Sequence, residues 1–259
     1  ARLDTMVTMV DGSSFEMLLK SNELFDAADP DNPAKRALSE LLVDQVEFAD
    51  VILISRADII GGPACDQLKV LLRALNPRAE ILAVANGDVE LKYLVNTGRF
   101  DLPQLVRSPS WMRRMNEGDD HPSESEEFGI SSCVYRERVP FHPGRLAAFL
   151  QSEWDNGRLF RCKGYFWVAS NFHDIGMLVQ SGGAMRWQFV GKWWRFLPRH
   201  QWPDDAYRRN AILEKWVEPA GDCRQEIVFI GKAVDFDLLK EQLDDCLLTP
   251  DEIDDGPDA

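Results

Sequence analysis

Three short apolar runs punctuate the first third of the chain, and between them apolar positions recur at helical spacing. Met6-Val7-Thr8-Met9-Val10 is bounded, partly β-branched and closed by Asp11-Gly12, which predicts a buried strand. Val51-Ile52-Leu53-Ile54 has no polar alternation, as expected of a strand covered on both faces by helices. Glu80 to Val84 reads as a third strand. Ala37, Leu38, Leu41, Leu42, Val46 and Ala49 predict a helix from Ala34 to Ala49, with Pro33 suited to its start. Gly61-Gly62-Pro63 opens a second helix, Ala64 to Leu75, which stops before Asn76-Pro77. Asn86-Gly87-Asp88 should open a third, running to about Thr97. Strand, helix, strand, helix, strand is the order of a parallel α/β sheet. Three such strands make an incomplete sheet, so a preceding half of this domain is expected to be missing from the chain.

The pattern changes after Arg107. RSPSWMRRMNEGDDHPSESEEF is polar and acidic, the composition of a linker. Beyond it lie seven of the eight tryptophans. Strands are predicted at Ile130 to Val139, Arg161 to Ser170, Ile175 to Val179, Met185 to Val190 and Glu226 to Ile230. Helices are predicted at Pro143 to Trp154, near Asp204 to Leu213, and at Phe236 to Leu247. The fold class is therefore α/β plus α+β. An incomplete parallel half-domain occupies residues 1–106, an acidic linker 107–128, a smaller mixed or antiparallel α+β domain 129–250, and a frayed tail 251–259.

Charge and cysteine usage narrow the function. A net charge of -14 opposes a phosphate backbone as the main partner, because counterion release needs clustered Lys and Arg. No apolar run approaches the roughly 18 residues that cross a bilayer, and ARLDTMVTMVDG has no signal-peptide pattern. No nucleic acid, no membrane and a cytoplasmic location are expected. Five scattered cysteines, with no CxxC pair, form neither a disulfide framework nor a zinc ribbon.

Candidate chemistry gathers where the parallel strands end. In an open α/β sheet, ligands sit outside the carboxyl ends of the strands. Asp11, Asp58 in Ser55-Arg56-Ala57-Asp58, and Asn86-Gly87 all fall there. A carboxylate has two acceptors to match guanine's ring N–H and exocyclic amine; adenine lacks that pair. A neighbouring loop can then donate a backbone N–H to the base carbonyl. The plain alternative is that Asp58 is a turn or helix cap.

Elsewhere the plain readings lead. His121 among Asp119, Asp120 and Glu124 suits a solvated linker better than a metal site, and Cys133, Cys162 and Cys223 suit buried core thiols. His142 before Pro143 reads as a helix-start residue, and His173 and His200 as turn residues. Arg161 and Lys163 share a strand parity, which favours a salt-bridged domain interface. Trp193-Trp194-Arg195 fits core packing or a docking patch equally.

MVTMVDGSSF, LLVDQVEFADVILISRADII and LRALNPRAEILAVANGDV together resemble the latter half of the GTPase domain of CobW-type proteins, P-loop GTPases that act as metallochaperones. GISSCVYRERVPFHPGRLAAFL, GRLFRCKGYFWVAS and FIGKAVDFDLLKEQLDDCLLTPDE resemble that family's C-terminal domain, and GGAMRWQFVGKWWRFLPRHQWP is similar to its zinc-scarcity branch. The resemblance covers almost the whole chain. It places Ser55-Arg56-Ala57-Asp58 at the family's guanine-reading Asn-Lys-x-Asp, with Asp58 matching and Ser55 and Arg56 departing, and Asn86-Gly87 at the second base-contacting loop.

The resemblance implies GTP with Mg as nucleotide and a metal-requiring client apoprotein as partner. Zinc is the implied cargo; cobalt or iron, as delivered by relatives such as nitrile hydratase activators, is the alternative. Rival readings are a non-catalytic interaction module with a degenerate nucleotide site, and an enzyme holding a metal on Asp11, Asp58 and Asp88. No GxxxxGK(S/T) loop occurs in the chain. GTP hydrolysis is therefore expected of an intact protein and not of this chain alone; no catalytic residue is assigned and the metal ligands are unknown.

Overall fold

A computed structural model describes residues 3–21, 23–25, 36–101 and 128–255. The first half runs β1 (Val7–Asp11), α1 (Phe15–Leu19), β2 (Leu24–Phe25), β3 (Arg36–Ala37), α2 (Leu38–Glu47), β4 (Val51–Ser55), α3 (Ala57–Ile60), α4 (Gly62–Leu75) and β5 (Glu80–Ala83). β1, β4 and β5 form a parallel sheet in that order, with Val7 beside Val51 and Ile54 beside Ala83. β4 is central because it has nothing to show to water. Ile52 and Ile54 pack with Val43, Val46, Leu71 and Leu72 of α2 and α4. Val51 and Leu53 face the opposite way, onto Val84, Val89 and Leu94.

That second face is covered differently from expectation. In place of a helix to Thr97 there is one 3-10 turn, Leu91–Tyr93. Asn86, Gly87, Asn96 and Gly98 all take left-handed φ, which no α-helix passes through. Asp4 then ties the cover down, accepting from the Thr97 and Gly98 amides at 2.9 and 3.0 Å. The helix expected from Ala34 begins at Leu38, because Arg36–Ala37 pairs with Leu24–Phe25 as a short ladder.

The second half contains β6 (Ile130–Glu137), α5 (Pro143–Gln151), β7 (Arg158–Phe166), β8 (Asp174–Ser181), β9 (Ala184–Lys192), α6 (Ala206–Glu214), β10 (Gln225–Lys232), α7 (Phe236–Asp244) and α8 (Pro250–Asp255). Its antiparallel sheet has the order β6-β10-β7-β8-β9. α5 and α7 bury Leu146, Leu239 and Leu243 against Cys162, Phe166, Ile227 and Phe229. The tail expected at 251–259 starts instead as α8, and residues 256–259 lie outside the described set. Thr249 and Glu252 form a reciprocal cap, with the Thr249 amide donating to Glu252 Oε2 at 2.8 Å and the Glu252 amide to Thr249 Oγ1 at 3.3 Å. Arg145 grips the same carboxylate at 2.8 and 2.6 Å, and these bonds hold Glu252 down at a pKa of about 2. The linker expected at 107–128 lies outside the described residues but for Phe128.

The two sheets do not stand apart. Ile130, Phe160, Val228 and Ile230 join the core formed by α2 and α4. Polar groups fix the join. Arg161, 1% exposed, donates from Nε to Glu47 Oε1 at 2.9 Å and from Nη2 to Oε2 at 3.1 Å. Its Nη1 bonds the Ser181 hydroxyl, and Lys163 lies 3.6 Å from Glu47. Ser39 donates to the Ser181 carbonyl at 2.8 Å, and Arg186 clasps Glu40. The interface read from the shared parity of Arg161 and Lys163 is present. At the tip of the β8–β9 hairpin, Gly182 has φ +56°, and a Cβ there would fall 1.6 Å from the Leu19 carbonyl oxygen of α1.

Removing one partner of a buried pair leaves an uncompensated charge. Glu47→Ala should lower unfolding free energy by about 3–5 kcal/mol in a denaturant titration. Glu47→Leu combined with Arg161→Met should cost clearly less, since no lone charge stays behind.

Candidate functional site

The carboxyl ends of the parallel strands form one stitched rim. The Gly12 amide donates to the Ser55 carbonyl at 3.1 Å, the Val84 amide to Ile54 at 2.9 Å, and the Ala57 amide to Val84 at 3.3 Å. The loops after β1, β4 and β5 are thus bonded in series. Gly12 is required at the first stitch: a Cβ would sit 2.9 Å from the Ser55 carbonyl oxygen and 2.8 Å from Ile60 Cδ1.

Ser55-Arg56-Ala57-Asp58 turns sharply on this rim. Ser55 directs its hydroxyl inward, to the Val10 carbonyl at 3.2 Å. Arg56 is left-handed, with φ 57° and ψ 28°, and this reverses the chain into α3. Its guanidinium reaches back to β1, donating to Ser13 Oγ at 3.0 Å and lying 3.2 Å from Asp11 Oδ2. Asp58 follows in the first turn of α3, exposed. Across the stitch, Asn86 and Gly87 are consecutive left-handed residues at φ 52° and 74°, closed by the Asp88 amide donating to Ala85 at 2.9 Å. Two successive left-handed residues make a tight turn, which explains the Asn-Gly pair. All five candidate residues therefore lie along this one edge.

The division of labour is uneven. Ser55 and Arg56 spend their polar groups on the rim itself, while Asp58, Asn86 and Gly87 are exposed. Asp11 is not a spare metal ligand. Its Oδ1 accepts from the Ser13 hydroxyl at 2.7 Å and the Ser13 amide at 3.0 Å, which hold the carboxyl below its ordinary pKa, with Arg56 adding to the effect. Gly12 and Ser13 were not singled out by sequence; DGSS carries the signal, a small residue and a hydroxyl just after a strand.

Metal chemistry finds little support in the described residues, which contain no group of three or more His, Cys, Asp or Glu placed to hold an ion. The reading of Asp11, Asp58 and Asp88 as a metal site is thereby corrected, Asp11 being held by Ser13 and Arg56. His121 lies outside the described residues. Cys162 and Cys223 are buried in the apolar clusters of the second half, and burial raises both thiol pKa values, that of Cys223 to about 12. His142 caps α5, its Nδ1 accepting from the Gly144 and Arg145 amides at 3.1 and 3.2 Å. Trp193 is core, packed with Trp167 and Cys223. No described helix is long and apolar enough to cross a membrane.

Comparison with known proteins matches both halves. The CobW/HypB/UreG nucleotide-binding domain matches residues 1–83, and the cobalamin synthesis protein cobW C-terminal domain matches residues 130–247. A zinc-regulated GTPase metalloprotein activator of Dictyostelium discoideum is 36% identical over 97% of this chain and 53% of its own length. A zinc chaperone of Mycobacterium tuberculosis is 25% identical over 85% of this chain and 52% of its own length. The chain thus spans about half the length of these relatives. The Zn(II)-bound YjiA GTPase structure from Escherichia coli aligns with 95% of this chain and 62% of its own, at 18% identity and a TM-score of 0.41.

The rim can be tested by titration. A group whose folded pKa is depressed contributes stability above its unfolded value and loses it as pH falls through the folded value. The Asp11 carboxyl carbon signal should titrate below the ordinary 3.8, and Ser13→Ala should move the midpoint back up. Gly12→Ala should lower the melting temperature and speed amide exchange at Gly12.

Proposed function

Because the chain belongs to the CobW family of nucleotide-binding proteins, we propose that it forms the base-reading edge and C-terminal domain of a cytoplasmic, GTP-dependent metallochaperone. The cargo is a transition metal, zinc first, in keeping with what the named relatives are said to handle. The recipient is a metal-requiring client apoprotein. The observation that carries this reading is the bonding of the Ser55-Arg56-Ala57-Asp58 loop to the loop bearing Asn86-Gly87, through the Ala57–Val84 amide link. Two guanine-matching elements are thereby held side by side.

In this reading the exposed Asp58 carboxylate accepts from the guanine ring N–H and exocyclic amine. The left-handed Asn86-Gly87 turn offers a backbone N–H to the base carbonyl. Arg56, tethered by Asp11 and Ser13, fixes the turn that presents Asp58, and Ser55 locks the end of β4 to β1. These residues fit a base; the phosphates and Mg have no loop to cradle them in these 259 residues, so hydrolysis belongs to a longer protein. Binding at the edge has a direct structural link to the second half, since β4 follows α2, and α2 carries Glu47 into the Arg161 cluster.

The coding sequence upstream of Ala1 gives the first test: a GxxxxGK(S/T) loop and a CxCC metal motif support the proposal, and the lack of both sinks it. In the full-length protein, GTP should compete out a labelled guanine nucleotide and ATP should not. Asp58→Asn should cost about 1–3 kcal/mol of guanine nucleotide affinity. The same variant should gain xanthine nucleotide binding, because an amide N–H can pair with the carbonyl that replaces the exocyclic amine. Unchanged guanine preference in Asp58→Asn would refute the base-reading role.

A further inference from the structure

Gln180 stands where the pattern of β8 calls for an apolar residue. It shares a face of that strand with Leu178, and the register sets it between Cys162 of β7 and Met185 of β9. Cys162 and Leu178 belong to the apolar core beneath α5 and α7. Gln180 is 7% exposed, and its Nε2 donates to the Gly182 carbonyl, which fixes the side-chain amide. Its Oε1 is fully buried and accepts from no group among the described residues. A buried acceptor without a donor forfeits its hydration for nothing, and such groups are rare in folded proteins.

Gln180 lies on the wall of a cavity of about 390 Å³. Interior voids seldom exceed a water molecule, and an apolar cavity of about 150 Å³ already admits benzene. The floor is apolar and buried, formed by Phe141, Phe166, Ile227 and Phe229. The mouth opens among exposed residues, Lys20 after α1, Trp154 after α5, and Met185 of the β8–β9 hairpin. Among the described residues no Asp, Glu or His lines it, and no residue of the nucleotide edge does.

The wall selects its occupant. Water is a poor match, since a buried water needs about 2–4 polar partners, and the buried side chains here offer the Gln180 oxygen and little else. A carboxylate has no proton to give that oxygen. A cationic head meets Lys20 and Arg158 and finds no acid on the wall. We propose that the cavity binds an uncharged apolar molecule carrying a single hydroxyl. Its O–H donates to Gln180 Oε1, and its hydrocarbon body covers Phe166 and Ile227. Such sites are mostly apolar, with one or two polar groups that fix orientation. Leu19 and Lys20 bring the first half of the chain to the same cavity, so the occupant adds to the join made by Arg161.

Para-hexylphenol, un-ionised at neutral pH, and its methyl ether para-hexylanisole are a matched pair of probes, for the ether lacks the donor. Titrated into the full chain carrying labelled methyl groups, both should shift the signals of Leu178, Met185, Ile227 and Leu243. The phenol should bind about threefold to tenfold tighter, the worth of one net hydrogen bond. It should also shift the Gln180 side-chain amide and raise the melting temperature, since it binds the folded state alone. Gln180→Met keeps the volume and removes the acceptor, so the two probes should then bind alike. Leu150→Trp, at a half-buried position on the wall, should narrow the cavity and weaken both while the chain stays folded. Equal binding of the pair to the unaltered chain, a preference that survives Gln180→Met, or shifts away from the cavity would overturn the proposal. So would no binding of either, which would leave the oxygen to water. Tighter binding of para-hexylbenzoate would overturn it too, assigning the cavity to an anionic amphiphile.

Discussion

A guanidinium buried to 1% exposure needs a matched counter-charge, and the arrangement of this molecule follows from where that counter-charge sits. Arg161 belongs to the antiparallel sheet and Glu47 to the helix ahead of the central parallel strand. The pair bridges the two halves. Burial disfavours the ammonium of Lys163 beside them, lowering its pKa, while Glu47 pulls the other way. The apolar contact of Ile130, Val228 and Ile230 with α2 and α4 supplies the larger attraction, and the ion cluster fixes the angle at which that contact is made. Hydrophobic burial is non-directional, whereas a two-pronged guanidinium–carboxylate pair is not.

The same helix fixes the candidate site. Asn76, buried at the end of α4, donates to the Val46 and Ala49 carbonyls at 2.8 and 2.9 Å and so closes the exit of α2. Asp50 next holds the Met6 amide at 2.9 Å, setting β1 against β4 before either strand begins. Five residues of β4 then carry that placement to Ser55 and the loop of Asp58. The exposed end of the strand inherits its position from its buried start, and an edge of otherwise ordinary loops becomes well defined.

Much of this was legible. The unbroken run Val51 to Ile54 could only be a strand covered on both faces, and that fixed the parallel sheet. The parity of Arg161 and Lys163 foretold a charged interface, although its acid, Glu47, could be found only in three dimensions. The helix expected to Thr97 failed because Val89 and Leu94 pack on the sheet without helical spacing, and left-handed Asn96 forbids continuation. T-P-D-E at 249–252 is a capping signature that composition disguised as an acidic tail. Asp58 was found through its place after a strand and through family resemblance. The hold of Asp11 and Ser13 on Arg56 depends on a left-handed turn that no local pattern announces.

Gly182 gives the two halves a mechanical stop. With less than the width of an atom available for a side chain, the β8–β9 hairpin rests directly on the backbone of α1 and cannot advance past it. α1 follows β1, the strand that carries Asp11, after only three residues. A shift of α1 would therefore press first on this hairpin tip, through the backbone of Leu19. Any side chain at this tip would jam the stop before it touched the core.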